Sequence, residues 1–322
     1  MTTSLRKKIA GIVTIGLAGL ALVACSNEDT DSSSGDDTIN IGILQFMEHV
    51  SLTEAKDGFI SELEESGIEV VFEVMNAQGD QSNLQSMSEQ LTDNNDLTLA
   101  IATPAAQSLA LADSENPVLF TAVTDAVDAG LVESNEVPGR NLTGTSDMVP
   151  IEEQTSLLLS LIDNPQKIGI AYNSSEPNSK IQADLAAAAF EAAGIEVIIA
   201  TVTTSNDVQT TITSLARDVD GIYLPTDNTM EATMATIGEI AAEYKVPVVA
   251  GATGMVDDGG LATYGINYTD LGRQTARIAL RILQDGEKPA DIAVETSDNL
   301  ELVVNEEMAE TMGIDPASIS IE

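Results

Sequence analysis

The sequence of 322 residues contains no tryptophan, one cysteine and one histidine, and aromatic residues make up only 3% of it. A single cysteine excludes a disulfide within the chain. A single histidine, with no second histidine or cysteine at ligand spacing, argues against a zinc centre, so we expect no metal and no cofactor. The hydrophobic core must therefore be filled by Ala, Val, Ile, Leu and Met.

Basic residues are also scarce, with 13 Lys and Arg against 52 Asp and Glu. Nucleic-acid binding requires many Lys and Arg side chains to neutralise phosphates, so this composition excludes a nucleic-acid partner. We interpret the acidity as a dispersed, solubilising surface suited to an exported protein in salty or alkaline surroundings, rather than as an acidic functional patch.

The N-terminal segment reads as a bacterial lipoprotein signal. Basic residues 6–8 precede an apolar run at 9–22, which ends in Leu22-Val23-Ala24-Cys25. Counted to Ala24 before the cysteine, the run is sixteen residues, shorter than the roughly twenty of a spanning helix, so cleavage before Cys25 is favoured over a permanent membrane anchor. Removing residues 1–24 takes away three basic residues and leaves a charge of 10 minus 52, or −42. We expect Cys25 to carry lipid on the outer face of the cytoplasmic membrane.

Residues 25–38 form a polar tether, because no apolar residue follows Cys25 until Ile39. From residue 39 short apolar runs alternate with amphipathic ones, which predicts βα units around parallel sheets. The predicted strands are 39–45, 69–75, 97–102, 118–123, 141–148, 167–172, 196–202, 221–224, 246–250, 261–268 and 295–304. The predicted helices are 52–65, 81–91, 105–112, 180–193, 207–216, 229–244, 270–283 and 306–312.

The two halves of the chain resemble each other. Gly67-Ile68-Glu69-Val70 recurs 127 residues later as Gly194-Ile195-Glu196-Val197. The pattern predicts an α/β protein of two Rossmann-like lobes with parallel sheets, joined by a three-segment hinge, with a ligand cleft between them. We expect an N-terminal lobe of residues 39–146 plus 267–296 and a C-terminal lobe of residues 147–266 plus 297–322.

The residues that follow the predicted strands are mostly polar hydrogen-bonding groups, and in this fold they border the ligand cleft. The candidate ligand-binding residues are Phe46, Glu48, His49, Thr103, Thr124, Asp125, Tyr172, Asn173, Ser174, Ser175, Asn178, Ser179, Thr226, Asp227 and Thr253.

Two groups of these residues suit a zwitterion. The loop 173–179 places hydroxyls, amides and backbone N–H groups at a helix N-terminus, which favours a carboxylate. Asp227 is a candidate partner for an amine, and Phe46 or Tyr172 could stack on the side chain of the ligand. The alternative for both the loop and Asp227 is simple helix N-capping.

Enzyme signals are missing from the sequence. No G-x-S-x-G, Walker or G-x-G-x-x-G motif follows a predicted strand. His49 beside Glu48 favours hydrogen bonding or ligand contact over acid/base chemistry. We therefore expect no catalytic residue and no enzyme activity.

Several motifs in order resemble one family across residues 39–315. They are Ile43-Leu44-Gln45-Phe46-Met47-Glu48-His49, Ala102-Thr103-Pro104-Ala105-Ala106-Gln107, Phe120-Thr121-Ala122-Val123-Thr124-Asp125, Gly144-Thr145-Ser146-Asp147, Tyr172-Asn173-Ser174-Ser175-Glu176-Pro177-Asn178-Ser179, Leu224-Pro225-Thr226-Asp227-Asn228 and Tyr268-Thr269-Asp270-Leu271-Gly272. The chain resembles substrate-binding lipoproteins of ABC transporters of the tryptophan/tyrosine-binding type, which have the type I periplasmic-binding-protein fold. Val50 and Ala126 stand where the resemblance leads us to expect proline.

The resemblance implies a receptor that closes on a small ligand, with an aromatic amino acid as the leading candidate. It implies delivery to a membrane permease driven by a separate ATPase. It also implies Asp227 as the amine ligand and Ser174, Ser175, Asn178 and Ser179 as the carboxylate seat. We expect a monomer tethered to the membrane by its lipid. A sensory lipoprotein and an importer receptor for another ligand class remain open alternatives.

Overall fold

The computed structural model describes residues 38–112, 115–297 and 299–321. Cys25, the predicted signal at 1–24 and the tether up to residue 37 lie outside the described residues. Within the described ranges, no helix has the length and apolar character needed to cross a membrane.

The described residues form two six-stranded sheets of similar order. The strands are β1 (Ile39–Gln45), β2 (Val70–Asn76), β3 (Leu97–Ile101), β4 (Val118–Val123), β5 (Leu142–Ser146), β6 (Lys167–Asn173), β7 (Glu196–Val202), β8 (Gly221–Leu224), β9 (Val248–Ala250), β10 (Ala262–Ile266), β11 (Glu295–Thr296) and β12 (Leu300–Val304). The first sheet has the order β11-β5-β4-β3-β1-β2, and the second has the order β12-β10-β9-β8-β6-β7. All neighbours are parallel except β12, which pairs antiparallel with β10.

Helices separate the strands in both lobes. They are α1 (Val50–Glu65), α2 (Gln81–Asn94), α3 (Thr103–Leu111), α4 (Ile151–Ser160), α5 (Pro177–Ala192), α6 (Ser205–Ala216), α7 (Asn228–Glu231), α8 (Met234–Tyr244), α9 (Thr253–Asp257), α10 (Tyr268–Asp285) and α11 (Glu306–Met312). Short 3₁₀ turns lie at Pro289–Asp291 and Pro316–Ser318. The architecture confirms the predicted α/β fold with two lobes.

The chain passes between the two sheets three times. It leaves the first sheet after β5, returns after β10 and leaves again between β11 and β12. On the return, α10 packs against α1 of the first lobe. The residue numbers at which we divided the lobes stay a prediction.

Three details differ from the sequence prediction. The single strand expected at 295–304 is two strands in different sheets, because the chain crosses between lobes within it. The helix expected at 229–244 is divided into α7 and α8 at Thr233, whose hydroxyl bonds back to the carbonyls of Thr229 and Met230. Helices α4 and α9 were not predicted, and both pack on strands of the second sheet.

Two glycines allow α1 and α10 to approach closely. A Cβ on Gly272 would lie 1.9 Å from the carbonyl oxygen of Ala55, and one on Gly58 would lie 2.2 Å from that of Thr269. Arg273 flanks this contact with ion pairs to Glu62 at 2.9 Å and to Glu65 at 3.1 Å. The contact fixes α10, and with it Tyr268 at its first turn, against the first lobe.

We predict that Gly272→Ala destabilises the protein by about 1–3 kcal/mol, because the added methyl overpacks a backbone contact. Urea unfolding gives the free energy. Arg277→Ala on the same helix removes only an exposed ion pair with Glu62 and should cost less than about 1 kcal/mol. An equal cost for the two variants would contradict the proposed packing constraint.

Candidate functional site

A cavity of about 20 Å³ lies where the carboxyl ends of strands from both lobes meet. It is lined by His49, Ser51, Leu52, Ala122, Thr124, Asp147, Asn178, Thr226, Asp227, Asn228, Glu231 and Tyr268. Such a volume holds about one water molecule, so the lobes are closed onto each other. A larger groove of about 690 Å³ lies on the outer face of the first lobe, beside α2 and α3. That groove lacks the buried charges of the cavity between the lobes.

His49 joins the two lobes. Its Nε2 lies 3.1 Å from Asn228 Oδ1, and its Nδ1 lies 2.9 Å from Glu231 Oε1. The amide of Asn228 is oriented by its Nδ2, which donates to Glu176 Oε2 at 2.6 Å. Nε2 therefore has a hydrogen-bond acceptor and Nδ1 lies at ion-pair distance from a carboxylate, and the imidazolium form suits both contacts.

The environment of His49 favours its charged form. Burial alone lowers the pKa of His49, but the charge and hydrogen bond of Glu231, with help from Asn228 and Glu176, outweigh burial and raise the pKa above 6.5. Burial likewise opposes the ionised form of Glu231, and the charge of His49 reverses this and lowers the Glu231 pKa. The two residues form a buried ion pair, with side chains only 4% and 3% exposed.

Glu231 also binds the start of α1 in the opposite lobe. Its Oε1 accepts the backbone N–H of Ser51 at 2.9 Å. No side chain of the first lobe caps α1, since His49 occupies the N-cap position without a capping hydrogen bond. The second lobe thus supplies the acceptor for an N–H group that the first lobe leaves unpaired, and lobe closure completes the cap.

Asp227 caps α7 and lines the cavity at the same time. Its Oδ2 accepts the backbone N–H of Asn173 at 2.7 Å, and its Oδ1 accepts that of Met230 at 2.8 Å. Burial and the nearby charge of Glu176 raise the Asp227 pKa to about 7. The N-cap alternative is therefore present in the structure, and it leaves room for ligand contact because each carboxylate oxygen accepts more than one hydrogen bond.

Asp147 also lines the cavity and lies directly after β5. Its Oδ2 accepts the hydroxyl of Tyr268 at 2.8 Å, and its Oδ1 accepts that of Thr124 at 3.3 Å. Gln182 of the second lobe donates to Thr124 Oγ1 at 3.2 Å. Burial raises the Asp147 pKa to about 6 and outweighs these hydrogen bonds, which lower it.

Asn178 offers an acceptor with no partner. Its Nδ2 donates to Thr226 O and Ser179 Oγ, both at 3.3 Å, which fixes the orientation of the amide. Its Oδ1 is buried and has no hydrogen-bond partner among the described residues. Because Asn178 lines the cavity, this oxygen is available to a ligand donor.

The structure brings some of the predicted site residues to the cavity. His49, Thr124, Asn178, Thr226 and Asp227 line it. Asn173 binds Asp227, and the hydroxyl of Ser179 donates to Thr226 O at 3.4 Å. Glu48 borders a neighbouring surface depression together with His49.

Other predicted site residues lie away from the cavity lining. Ser174 and Ser175 are exposed, and the hydroxyl of Ser174 donates to Val202 O at 3.2 Å. Asp125 is half-buried and accepts the backbone N–H groups of two residues in its own loop. The remaining residues are buried beside strand ends: Phe46, Thr103, Tyr172 and Thr253.

Sequence reasoning missed five polar residues of the cavity lining as site residues: Ser51, Asp147, Asn228, Glu231 and Tyr268. Asp147 and Tyr268 had a signal, because each lies at the end of a predicted strand and in a motif of the family resemblance. Glu231 had none, since it lies inside a predicted helix with nothing to distinguish it from other surface glutamates.

Comparison with known proteins identifies substrate-binding proteins as relatives of this chain. The family model for ABC transporter substrate binding proteins matches residues 40–319. A tyrosine-binding protein of Clostridioides difficile is 37% identical over 97% of this chain and 94% of its own.

Two solved structures are each 39% identical to this chain. An ABC domain from Streptococcus pneumonia in complex with L-Trp gives a TM-score of 0.82 and covers 86% of this chain and 95% of its own. A ligand-free, open substrate-binding protein with adhesive properties from Clostridium difficile gives 0.69 and covers 88% and 98%. The closed lobes described above are thus nearer in shape to the ligand-bound relative than to the open one.

We predict that the lobes open as pH rises. The raised pKa of His49 means that its ion pair contributes fully below about 6.5 and is lost as pH rises through that raised pKa. Small-angle X-ray scattering should therefore show a larger radius of gyration at pH ~9 than at pH ~6. His49→Gln leaves Glu231 without a cation and should cost the closed form about 3 kcal/mol. A radius that responds to pH equally in both proteins would rule out this role for His49.

Proposed function

Because the chain belongs to the ABC transporter substrate-binding proteins, we propose that it is the extracytoplasmic receptor of an ABC importer and binds an aromatic amino acid by lobe closure. The observation that carries this proposal is the buried cavity whose charged and polar lining comes from both lobes. The tyrosine-binding relative and the L-Trp complex support the ligand class.

The charges around the cavity favour a cationic group on the ligand. Four buried acidic residues cluster here, namely Asp147, Glu176, Asp227 and Glu231. In the part of the chain that the structure describes, His49 is the buried basic side chain that faces them. Buried carboxylates are costly without paired charges, so an ammonium group would stabilise the closed site.

Asp227 and Asn178 are the proposed amine site. The second negative charge at Glu176 strengthens the attraction of Asp227 for a cation, and the free Oδ1 of Asn178 suits an N–H donor. This assigns Asn178 to the ammonium rather than to the carboxylate. Ser179 stays in the proposed carboxylate seat, together with Ser174 and Ser175, which are exposed in the closed form.

Ligand binding requires the lobes to lie farther apart than they do here, because a cavity of about 20 Å³ neither admits nor holds an amino acid. Opening would break the contacts of His49 and Ser51 with the second lobe. Phe46 and Tyr172 remain the proposed stacking residues, and both are buried beside strand ends.

Anchoring through lipid on Cys25 is the proposed means of localisation. A tether at residues 25–38 would hold the receptor near a permease with its separate ATPase and raise its effective concentration there. We propose a monomer, since lobe closure within one chain completes the site.

Thermal unfolding of the purified protein should identify the ligand class. We expect L-Tyr and L-Trp to stabilise it, by about 2.7 kcal/mol when the ligand is at 100 times its dissociation constant. Deaminated analogues such as 3-(4-hydroxyphenyl)propionate lack the ammonium and should stabilise it less. Stabilisation by a sugar or polyol and by no amino acid would refute the proposed ligand.

The role of Asp227 is tested by Asp227→Asn. Asparagine is as good an N-cap as aspartate, so the oxygen that accepts the N–H of Met230 can be kept, while the variant removes the charge and the second acceptor, which binds the N–H of Asn173. We expect calorimetry to show L-Tyr affinity reduced by ~10-fold or more. The matched control is Asp80→Asn, which changes the N-cap of α2 far from the cavity. Equal affinity in both variants would contradict the amine assignment.

A further inference from the structure

We propose that Asp147 sets ligand preference by accepting a hydrogen bond from a donor on the aromatic ring of the ligand, such as a phenol O–H or an indole N–H. This inference rests on the proposed function, because it concerns the side chain of a bound aromatic amino acid. It predicts a receptor that favours tyrosine and tryptophan over phenylalanine.

Asp147 is a buried carboxylate without a positive partner. It is 4% exposed, and within the described ranges no Lys, Arg or His forms an ion pair with it. Its donors are the neutral hydroxyls of Tyr268 and Thr124, while its own backbone N–H donates to Val123 O at 3.1 Å. An ionised carboxylate has about four lone-pair sites, so two donors leave it able to accept a further hydrogen bond.

Asp147 and Asp227 approach the cavity from different parts of the fold. Asp147 follows β5 of the first sheet, whereas Asp227 follows β8 of the second. The amine is better placed at Asp227, because the charge of Glu176 and the free oxygen of Asn178 belong to the same lobe as Asp227. Asp147 lines the same cavity from the first lobe, so we assign it to the side chain of a ligand that is held at Asp227 by its ammonium.

The hydrogen bond between Tyr268 and Asp147 also ties two crossing segments together. Asp147 lies where the chain first leaves the first lobe, and Tyr268 begins α10, where the chain returns. Gln182 connects the second lobe to the same group through Thr124. A hydrogen bond from the ligand ring to Asp147 would therefore lie beside the hydrogen bonds that connect the two closed lobes.

The preference for tyrosine and tryptophan over phenylalanine follows from whether the ligand provides a hydrogen-bond donor for Asp147. A phenol or indole donor fills a remaining acceptor site of Asp147 in a water-poor cavity. Phenylalanine fills the same space but leaves a buried carboxylate short of a donor, and sites built to bind a hydroxyl discriminate strongly against analogues that lack one.

The test is calorimetric binding of L-Tyr, L-Trp and L-Phe to the wild-type protein and to Asp147→Asn. We expect wild type to bind L-Tyr at least ~10-fold more tightly than L-Phe. Asp147→Asn should bring the two affinities within ~3-fold, because the amide is a weaker acceptor than the carboxylate. Asp227→Asn should weaken both ligands together and keep their ratio.

A second measurement needs no variant. Burial raises the Asp147 pKa to about 6, so the residue is an ionised acceptor at pH ~8 and mostly protonated at pH ~5. The L-Tyr to L-Phe affinity ratio of wild type should fall as pH falls through that value. Titration of Asp227 acts on the ammonium of both ligands and cancels in the ratio.

The outcomes are distinguishable. If L-Phe binds wild type as tightly as L-Tyr, or if the ratio is unchanged in Asp147→Asn and at low pH, this inference is overturned while the proposed function stands. If no aromatic amino acid binds, the proposed function fails and this inference fails with it.

Discussion

The buried ion pair between His49 and Glu231 is the interaction on which the closed form depends. His49 lies just after the first strand of one lobe, and Glu231 ends a short helix of the other. The same carboxylate accepts the first-turn N–H of Ser51, so one side chain both pairs with a cation and completes a helix cap. Removing one partner of a buried ion pair leaves the other charge buried and unpaired, which is strongly destabilising. Opening the lobes has no such penalty, because both charged groups return to water.

Some of the acidic residues are buried between the lobes, where they have a proposed role in ligand binding that composition alone does not predict. Carboxylates on an open surface are hydrated and contribute mainly to solubility. When the lobes close, Asp147 and Asp227 lose that water without gaining a cation from the protein, as their raised pKa values reflect. A ligand with a positive charge and hydrogen-bond donors replaces the water that these carboxylates lose on closure. Ligand binding therefore favours the closed form.

The pattern of apolar residues along the chain predicted several helices and strands correctly. The strands at Ile39–Gln45 and Val118–Val123 and the helix at Glu306–Met312 have the predicted bounds, because alternating or periodic apolar residues specify them directly. The prediction of one strand at 295–304 was wrong, because the chain crosses from the first sheet to the second within this segment. At the break near Thr233 the hydroxyl of that residue bonds back to the carbonyls of Thr229 and Met230, a local feature that hydrophobic periodicity does not record.

The sequence by itself determined the alternation of strands and helices, the two similar lobes and the polar character of the strand ends. Only the tertiary structure decided which strand ends meet. His49 and Asn228 are 179 residues apart in sequence, and Asp147 and Tyr268 are 121 apart, yet each pair is hydrogen-bonded. Ser174 and Ser175 also follow a strand end, and they are exposed in the closed form. The reason is that lobe closure, a contact between distant segments, selects the site residues, and no local periodicity encodes such contacts.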